Sequence, residues 1–194
     1  MIHSKRDYLY YLKCDKIALG RTKKRPGLLD DIWKYERLMR KLEYYTNCKS
    51  KLWQLYTVYL QYRYITLGAK NGYEIPINTI GPGLALTHRG TIVINNQAKI
   101  GANCKINVCV NIGTRGKEQQ EVPIIGDNVY IGPGSKIFGA IEIGNDVAIG
   151  ANSVVNKNIE SHVTVAGVPA KCINHNGSNG LLIRATEEVT KTLL

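Results

Sequence analysis

The sequence has no C-x-x-C or H-x-H pair, no uncharged apolar run of about 18 residues, and few acids to set against its bases. Its five cysteines, Cys14, Cys48, Cys104, Cys109 and Cys172, form an odd, scattered set. Free thiols in a reducing, cytoplasmic setting are therefore expected. No cluster of His, Cys and carboxylate has metal-ligand spacing, so no metal is expected. The lack of a long apolar run excludes a conventional membrane span, and the N-terminus, MIHSKRDYLYYLK, lacks the apolar stretch of a secretory signal. The 19 glycines follow no Gly-x-y period, which excludes collagen. The 15 acidic residues face 26 Lys and Arg, leaving a net charge of +11. That balance favours polyanionic company: nucleic acid, acidic lipid, or a small ligand with several phosphates. The cluster Arg21, Lys23, Lys24 and Arg25 reads as a solvated basic loop. No recognised module interleaves aromatic with basic residues, so no nucleic acid partner is expected.

What is present suffices for a folded core, since 44% of the 194 residues are hydrophobic and 21% charged. The chain changes character near residue 72. Before it, apolar residues recur at helical spacing, as in Tyr8, Leu12 and Ile17, then Leu29, Ile32, Trp33, Tyr35 and Leu38. Asp30 or Asp31 caps a second helix that stops near Thr46 and Asn47. A third runs from Leu52 to Leu67 and ends at Gly68, a favourable residue after a helix. Its tyrosines, Tyr56, Tyr59, Tyr62 and Tyr64, read as a face that docks on the rest of the protein. A membrane-surface helix is the lesser reading, because basic residues and aromatics alternate there; membrane contact has no further support in the sequence.

After residue 72 a six-residue period takes over. Ile94 is followed at that step by Ile100, Ile106 and Ile112, and after a break by Ile125, Ile131, Ile137, Ile143, Ile149 and Val155. Weaker copies precede it at Ile80 and Leu86. The next position is often glycine (Gly101, Gly113, Gly126, Gly132, Gly144, Gly150), expected at a bend where backbone freedom is needed. The fourth position after each Ile is small or branched, as in Ala98, Cys104, Val129, Ser135 and Ser153. Each hexad is thus a short strand plus a turn. Three close one triangular coil, and stacked coils pair their strands in parallel with Ile over Ile. One coil cannot bury its own core, so several must stack. The expected organisation is a helical region over 1–71, a β-helix over 72–173 and a tail over 174–194 with a short helix near Glu187–Leu194.

Residues 80–173 resemble the left-handed parallel β-helix of hexapeptide-repeat acyltransferases. Within that group GPGLALTH (81–88), GTIVI (90–94), VNIGT (110–114) and AGVPAK (166–171) are similar to the serine acetyltransferases and their shorter saccharide O-acetyltransferase relatives. The fold class is then mainly β, a left-handed β-helix with an N-terminal helical segment. The resemblance implies an acetyl-CoA-dependent O-acetyltransferase working in a ternary complex, with coenzyme A thioester and a small hydroxyl acceptor as partners, in a homotrimer. A threefold assembly would also cover flat, apolar β-helix faces.

An acyl transfer of this kind needs a base to take the proton of a neutral hydroxyl, and histidine is the usual choice. His3 and His175 lie in chain ends, and His162 lies in a turn. His88 alone stands where the period is interrupted, with eight residues from Leu86 to Ile94, and a bulge there would re-aim a side chain outward. By resemblance His88 is the catalytic base. Cys104 and Cys109 fall on hexad positions and read as small core or turn residues, not nucleophiles.

By the same analogy the coenzyme A arm lies near Gly132, Pro133, Ala151 and Ala166, and its phosphates near Lys171. Gly113 and Thr114 are candidates for backbone N–H stabilisation of the oxyanion. Thr87, Arg115 and Lys117 are candidate acceptor-site residues, the last two in a polar insertion between Ile112 and Ile125 that reads as a flap. Four departures bear on the acceptor. Thr87 stands where the family has Asp before its base, and the insertion lacks the family's second histidine. The orienting carboxylate aligns near Tyr73, with Glu74 adjacent, and the N-terminal helical region is shorter. These favour a sugar hydroxyl over serine. Serine O-acetylation is the alternative, and a non-catalytic β-helix scaffold the alternative of another class.

Overall fold

The computed structural model describes residues 1–116 and 121–191. Helix α1 spans Lys5–Ala18, opened by Ser4, whose hydroxyl accepts the Asp7 N–H at 3.0 Å. Helix α2 spans Asp31–Cys48, and Asp30 caps it by accepting from Trp33 N at 3.3 Å. A tight turn at Lys51–Trp53 leads into α3, Gln54–Asn71. Helix α3 outruns its expected end at Gly68 and closes at Gly72, which adopts φ 82°. Gly68 serves packing instead. A Cβ there would lie 2.8 Å from the Tyr73 carbonyl oxygen and 3.3 Å from the Tyr35 ring. The tyrosine face also divides. Tyr64 is buried and its hydroxyl reaches the Ile75 carbonyl, Tyr56 is half-buried, and Tyr59 and Tyr62 face outward. Their spacing spreads them around the helix, so one docking surface cannot hold all four.

From Tyr73 the chain winds as a three-sided parallel prism. One side stacks Tyr73–Glu74, Ile92–Ile94, Val110–Gly113, Lys136–Phe138 and Val154–Val155. A second stacks Ala85–Leu86, Lys105–Ile106, Tyr130–Ile131, Ala148–Ile149 and Thr164–Gly167, joined by the antiparallel strand Ala170–Asn174. The third stacks Lys99–Ile100, Ile124–Ile125 and Glu142–Ile143, with Ile80 and Ile159 bridging at its ends. The hexad positions become three interior columns. They are Leu86, Ile106, Ile131, Ile149 and Val165; Ile94, Ile112, Ile137 and Val155; and Ile80, Ile100, Ile125, Ile143 and Ile159. Cys104, Val129, Ser135 and Ser153 are fully buried between them.

The glycines after each Ile have a different cause from the one expected. The left-handed corners fall at residues such as Asn103, Asn128 and Asn152, and the hexad glycines do not have positive φ. Close stacking of successive coils requires them at every position but Gly113, where a Cβ would make only ordinary contact. A Cβ on Gly101 would sit 2.6 Å from Gly126 O, and one on Gly132 would sit 2.7 Å from Ile149 O. The interruption at His88 is likewise a longer corner rather than a strand bulge, because Leu86 pairs with Ile106 and Ile94 with Ile112 in unbroken register.

A parallel stack leaves its first coil with an open edge of backbone donors and acceptors. Here buried charges of α1 and α2 satisfy that edge. Arg40 donates to Ile80 O (2.9 Å) and Gly81 O (2.7 Å) and pairs with Asp15 at 2.8 Å and Glu43 at 3.1 Å. Asp15 accepts from Gly83 N and Leu84 N, Glu43 from Asn78 N, and Glu36 from Leu86 N at 2.9 Å. Burial pulls the Arg40 pKa down, but Asp15 and Glu43 more than offset it, so the guanidinium stays charged.

Glu36 differs, because its Oε2 has no hydrogen-bond partner among the described residues. Burial first, and then the Asp15 charge, push its carboxyl well above the usual range. The native state therefore holds a proton that the unfolded chain has lost. Stability from this group is full below the unfolded carboxyl pKa and is lost as pH rises through the folded one. Glu36→Gln is expected to remove that decline, so the variant gains on the native protein as pH rises from mildly acid to alkaline. Urea midpoints at both ends of that range check it.

At the other end, the hairpin pairing Ala166 with Lys171 closes the stack. The chain then runs back to α4, Ala185–Lys191, which begins earlier than the expected tail helix. Ala185 and Val189 pack on Cys14 and Ala18 of α1 and on Ala85.

Candidate active site

Three kinds of contact shape the corner that carries His88. Thr87 N donates to Ile106 O at 3.3 Å, as Asn107 N does to Ile131 O, Gly132 N to Ile149 O and Gly150 N to Val165 O. Those bonds stack Thr87, Asn107, Gly132, Gly150 and Ala166 along one edge of the prism, and His88, Val108, Pro133, Ala151 and Gly167 follow them outward. Below His88 the corner is pinned by side chains. The Thr87 hydroxyl donates to Asn107 Oδ1 (2.9 Å), and Asn107 Nδ2 donates to Ile131 O (2.8 Å). Above it, Tyr73 Oη donates to the His88 carbonyl at 2.7 Å. Burial, and then the Glu36 carboxyl, push the Tyr73 phenol upward, so it stays protonated and remains a donor. Beside it, Arg89 donates to Leu29 O at 3.3 Å and to Asp31 at 3.2 Å.

The backbone of His88 is thus held from three directions while its side chain is exposed and makes no hydrogen bond to another described residue. The structure brings Thr87, His88, Gly132, Pro133, Ala151 and Ala166 onto this one edge. Lys171 stands beside it, paired with Ala166. Small residues line the outer side of the edge, leaving backbone groups open to an extended ligand.

The other expected residues are placed elsewhere. Glu74 is exposed, on the strand paired to Ile92–Ile94, and does not hydrogen-bond the imidazole. It lines a groove of about 510 Å³ with Asn95, Asn111, Gly113 and Thr114. That groove borders the far end of the same face. Val108 stands at the His88 edge, the chain turns at Cys109, and the strand Val110–Gly113 runs along the next face. Gly113 and Thr114 line this groove and not the edge that carries His88. Arg115 is exposed beside Gly139, and Lys117 lies outside the described residues. Cys104 is buried and its thiol is pushed up to about 12 by burial, which disqualifies it as a nucleophile. Cys109 is an exposed corner residue with φ 60°.

Four residues escaped sequence reasoning in these supporting roles: Tyr73, Asn107, Arg89 and Asp31. Asn107 had a visible signal, since it follows Ile106 at a position where other hexads carry glycine. Nothing local marked the tie between Asp31 and Arg89, which crosses from α2 to the β-helix.

Comparison with known proteins agrees with this architecture. Residues 123–157 match the family described as bacterial transferase hexapeptide (six repeats). A serine acetyltransferase of Staphylococcus epidermidis is 44% identical over 108 residues, covering 55% of this chain and 51% of that protein. One from Staphylococcus aureus is 42% identical over the same length. The chain thus spans about half the length of the curated relatives it matches. Among solved structures, the serine acetyltransferase of Brucella abortus in complex with coenzyme A superposes with a TM-score of 0.67 at 26% identity, covering 89% of this chain and 70% of that one. A serine acetyltransferase in complex with cysteine gives 0.69 at 27% identity, covering 88% and 71%. The winding of the prism is accordingly that of a left-handed β-helix. With its hexad columns and its histidine corner, the chain carries hexapeptide repeats and is similar to the serine acetyltransferases.

Proposed function

We propose that the protein is an O-acetyltransferase that uses acetyl-CoA, with His88 as its general base. The observation that carries this reading is the alignment of His88 on one edge with Gly132, Pro133, Ala151 and Ala166, ending at Lys171. An extended pantetheine arm can follow such an edge through backbone hydrogen bonds, with the cationic Lys171 near its phosphates. The solved relative that holds coenzyme A supports the same ligand here.

In the step itself the His88 imidazole takes the proton of the acceptor hydroxyl as its oxygen bonds to the acetyl carbonyl carbon. The carbon–sulfur bond then breaks, and the imidazolium returns the proton to the departing thiolate. Tyr73, Thr87 and Arg89 hold the histidine's backbone and limit the positions its ring can take. Glu74 lines the groove with Gly113 and Thr114, and no role in orienting the ring is assigned to it. Because one prism face separates Gly113, Thr114 and Arg115 from His88, we assign them to the corner of a neighbouring copy in a homotrimer.

Serine is the acceptor that the named relatives support. A saccharide hydroxyl is the second reading, and one observation favours it. The residue before the base is Thr87, whose hydroxyl is already committed to Asn107, so no carboxylate stands there for an ammonium group. A screen of acetyl-CoA consumption with serine, homoserine and a panel of sugars separates the two. Turnover with serine alone discards the saccharide reading, turnover with sugars alone discards serine, and no turnover with any acceptor counts against the enzyme itself.

A further inference from the structure

The outward side of α3 is unlike the rest of the surface. Leu52 and Leu55 are 94% and 88% exposed, and Val58, Tyr62 and Ile65 continue the line at steps of three and four residues. Trp53 and Tyr59 flank it, both half-exposed. From Tyr44 to Tyr73 the chain has no acidic residue, while Lys49, Lys51, Arg63 and Lys70 are basic. The flank of α3 that faces α2 is a cationic cleft of about 530 Å³, where Arg63 and Lys70 meet Lys34 and Arg37 around a single acid, Asp31. Lys34, Lys70 and Arg89 already share that carboxylate, so the cleft is strongly positive.

The loop between α1 and α2 adds to the same side, since its Pro26 lines the cleft. It exposes Lys23, Lys24 and Arg25 together with Leu28 and Leu29, which are 89% and 83% exposed. Leu28 O accepts from Lys34 and Leu29 O from Arg89, the residue after His88, so the loop is tied directly to the histidine corner.

We propose that α3 and this loop dock on the surface of an anionic lipid bilayer. An apolar crest with tyrosine and tryptophan, edged by lysine and arginine alone, is the pattern of a helix that lies in the headgroup region. Anionic headgroups supply the charge that the cleft lacks, and the effect is local to the surface. A second copy of the chain fits less well, because this face offers its many cations only Asp31, already shared by three of them, and would bring like charges together. No helix among the described residues is long and apolar enough to cross a membrane, so the contact is peripheral.

The test is flotation of the full chain with vesicles of phosphatidylcholine containing a third phosphatidylglycerol, against phosphatidylcholine alone. The protein is expected to float with the anionic vesicles only, to be released by salt, and to show a blue shift from Trp53, since Trp33 is buried. The pair Tyr62→Asp and Ile65→Asp is expected to weaken vesicle binding about tenfold or more. Leu52→Asp with Leu55→Asp serves as a second pair if the first lowers the thermal midpoint. Failure of the native protein to float, or equal flotation by both folded variants, overturns the proposal. So does a native oligomer, seen by sedimentation without lipid, that the variants break while vesicle binding is absent, because the face then belongs to a contact between copies.

Discussion

His88→Ala is expected to lower the turnover number by about 10²–10⁴ while leaving the fold unchanged. The imidazole is exposed and makes no side-chain hydrogen bond to a described residue, so its removal leaves no buried group unsatisfied. The backbone bonds from Tyr73 and the neighbouring contacts of Thr87 and Arg89 survive the substitution. Coenzyme A binding is expected to persist as well, because the small-residue edge from Gly132 to Ala166 is untouched. Steady-state kinetics together with calorimetric titration of coenzyme A check both halves. Unchanged turnover would remove the base, and with it the proposed mechanism, even if coenzyme A still bound.

Arg40→Ala is expected to be the most destabilising single change at the junction of helices and β-helix, by about 3–5 kcal/mol. The side chain is fully buried and joins two carboxylates to two backbone carbonyls of the first coil. Its loss leaves Asp15 and Glu43 buried with an uncompensated negative charge, and leaves Ile80 O and Gly81 O without those donors. Asp15→Asn in the same background removes part of that charge and is expected to recover part of the loss. Urea unfolding of the single and double variants measures this. A loss below about 1 kcal/mol would mean that the cluster is solvated like a surface ion pair.

The β-helix could be read because its geometry repeats along the chain. Ile80, Ile100 and Ile125 share a column for the same reason that Ile106 and Ile131 do, and that reason is written every sixth residue. Asp30 was equally legible as a cap, since capping is a contact across three residues. The charged residues of α2 were not. Glu36, Arg40 and Glu43 look like any polar stripe on a helix, and only the coil lying against them makes them buried. The hexad glycines were recognised for the wrong reason, because their constraint comes from the coil above and not from their own φ. At the site, the residues that the resemblance named, His88, Gly132, Pro133, Ala151 and Ala166, lie along one edge. The resemblance did not foresee that Glu74 and Gly113 border a separate groove.

The amino-acid order alone determined the prism, its interior columns, the interruption of the period at His88 and the helical start, because each depends on patterns within a few residues or on a fixed repeat. Tertiary structure decided how the stack is capped, which face of α3 stays open and which residues hold the histidine's backbone. Those outcomes join groups as distant as Asp15 and Leu84, or Asp31 and Arg89. Whether a charge is solvated or buried is a property of what folds against it, and no local spacing records that.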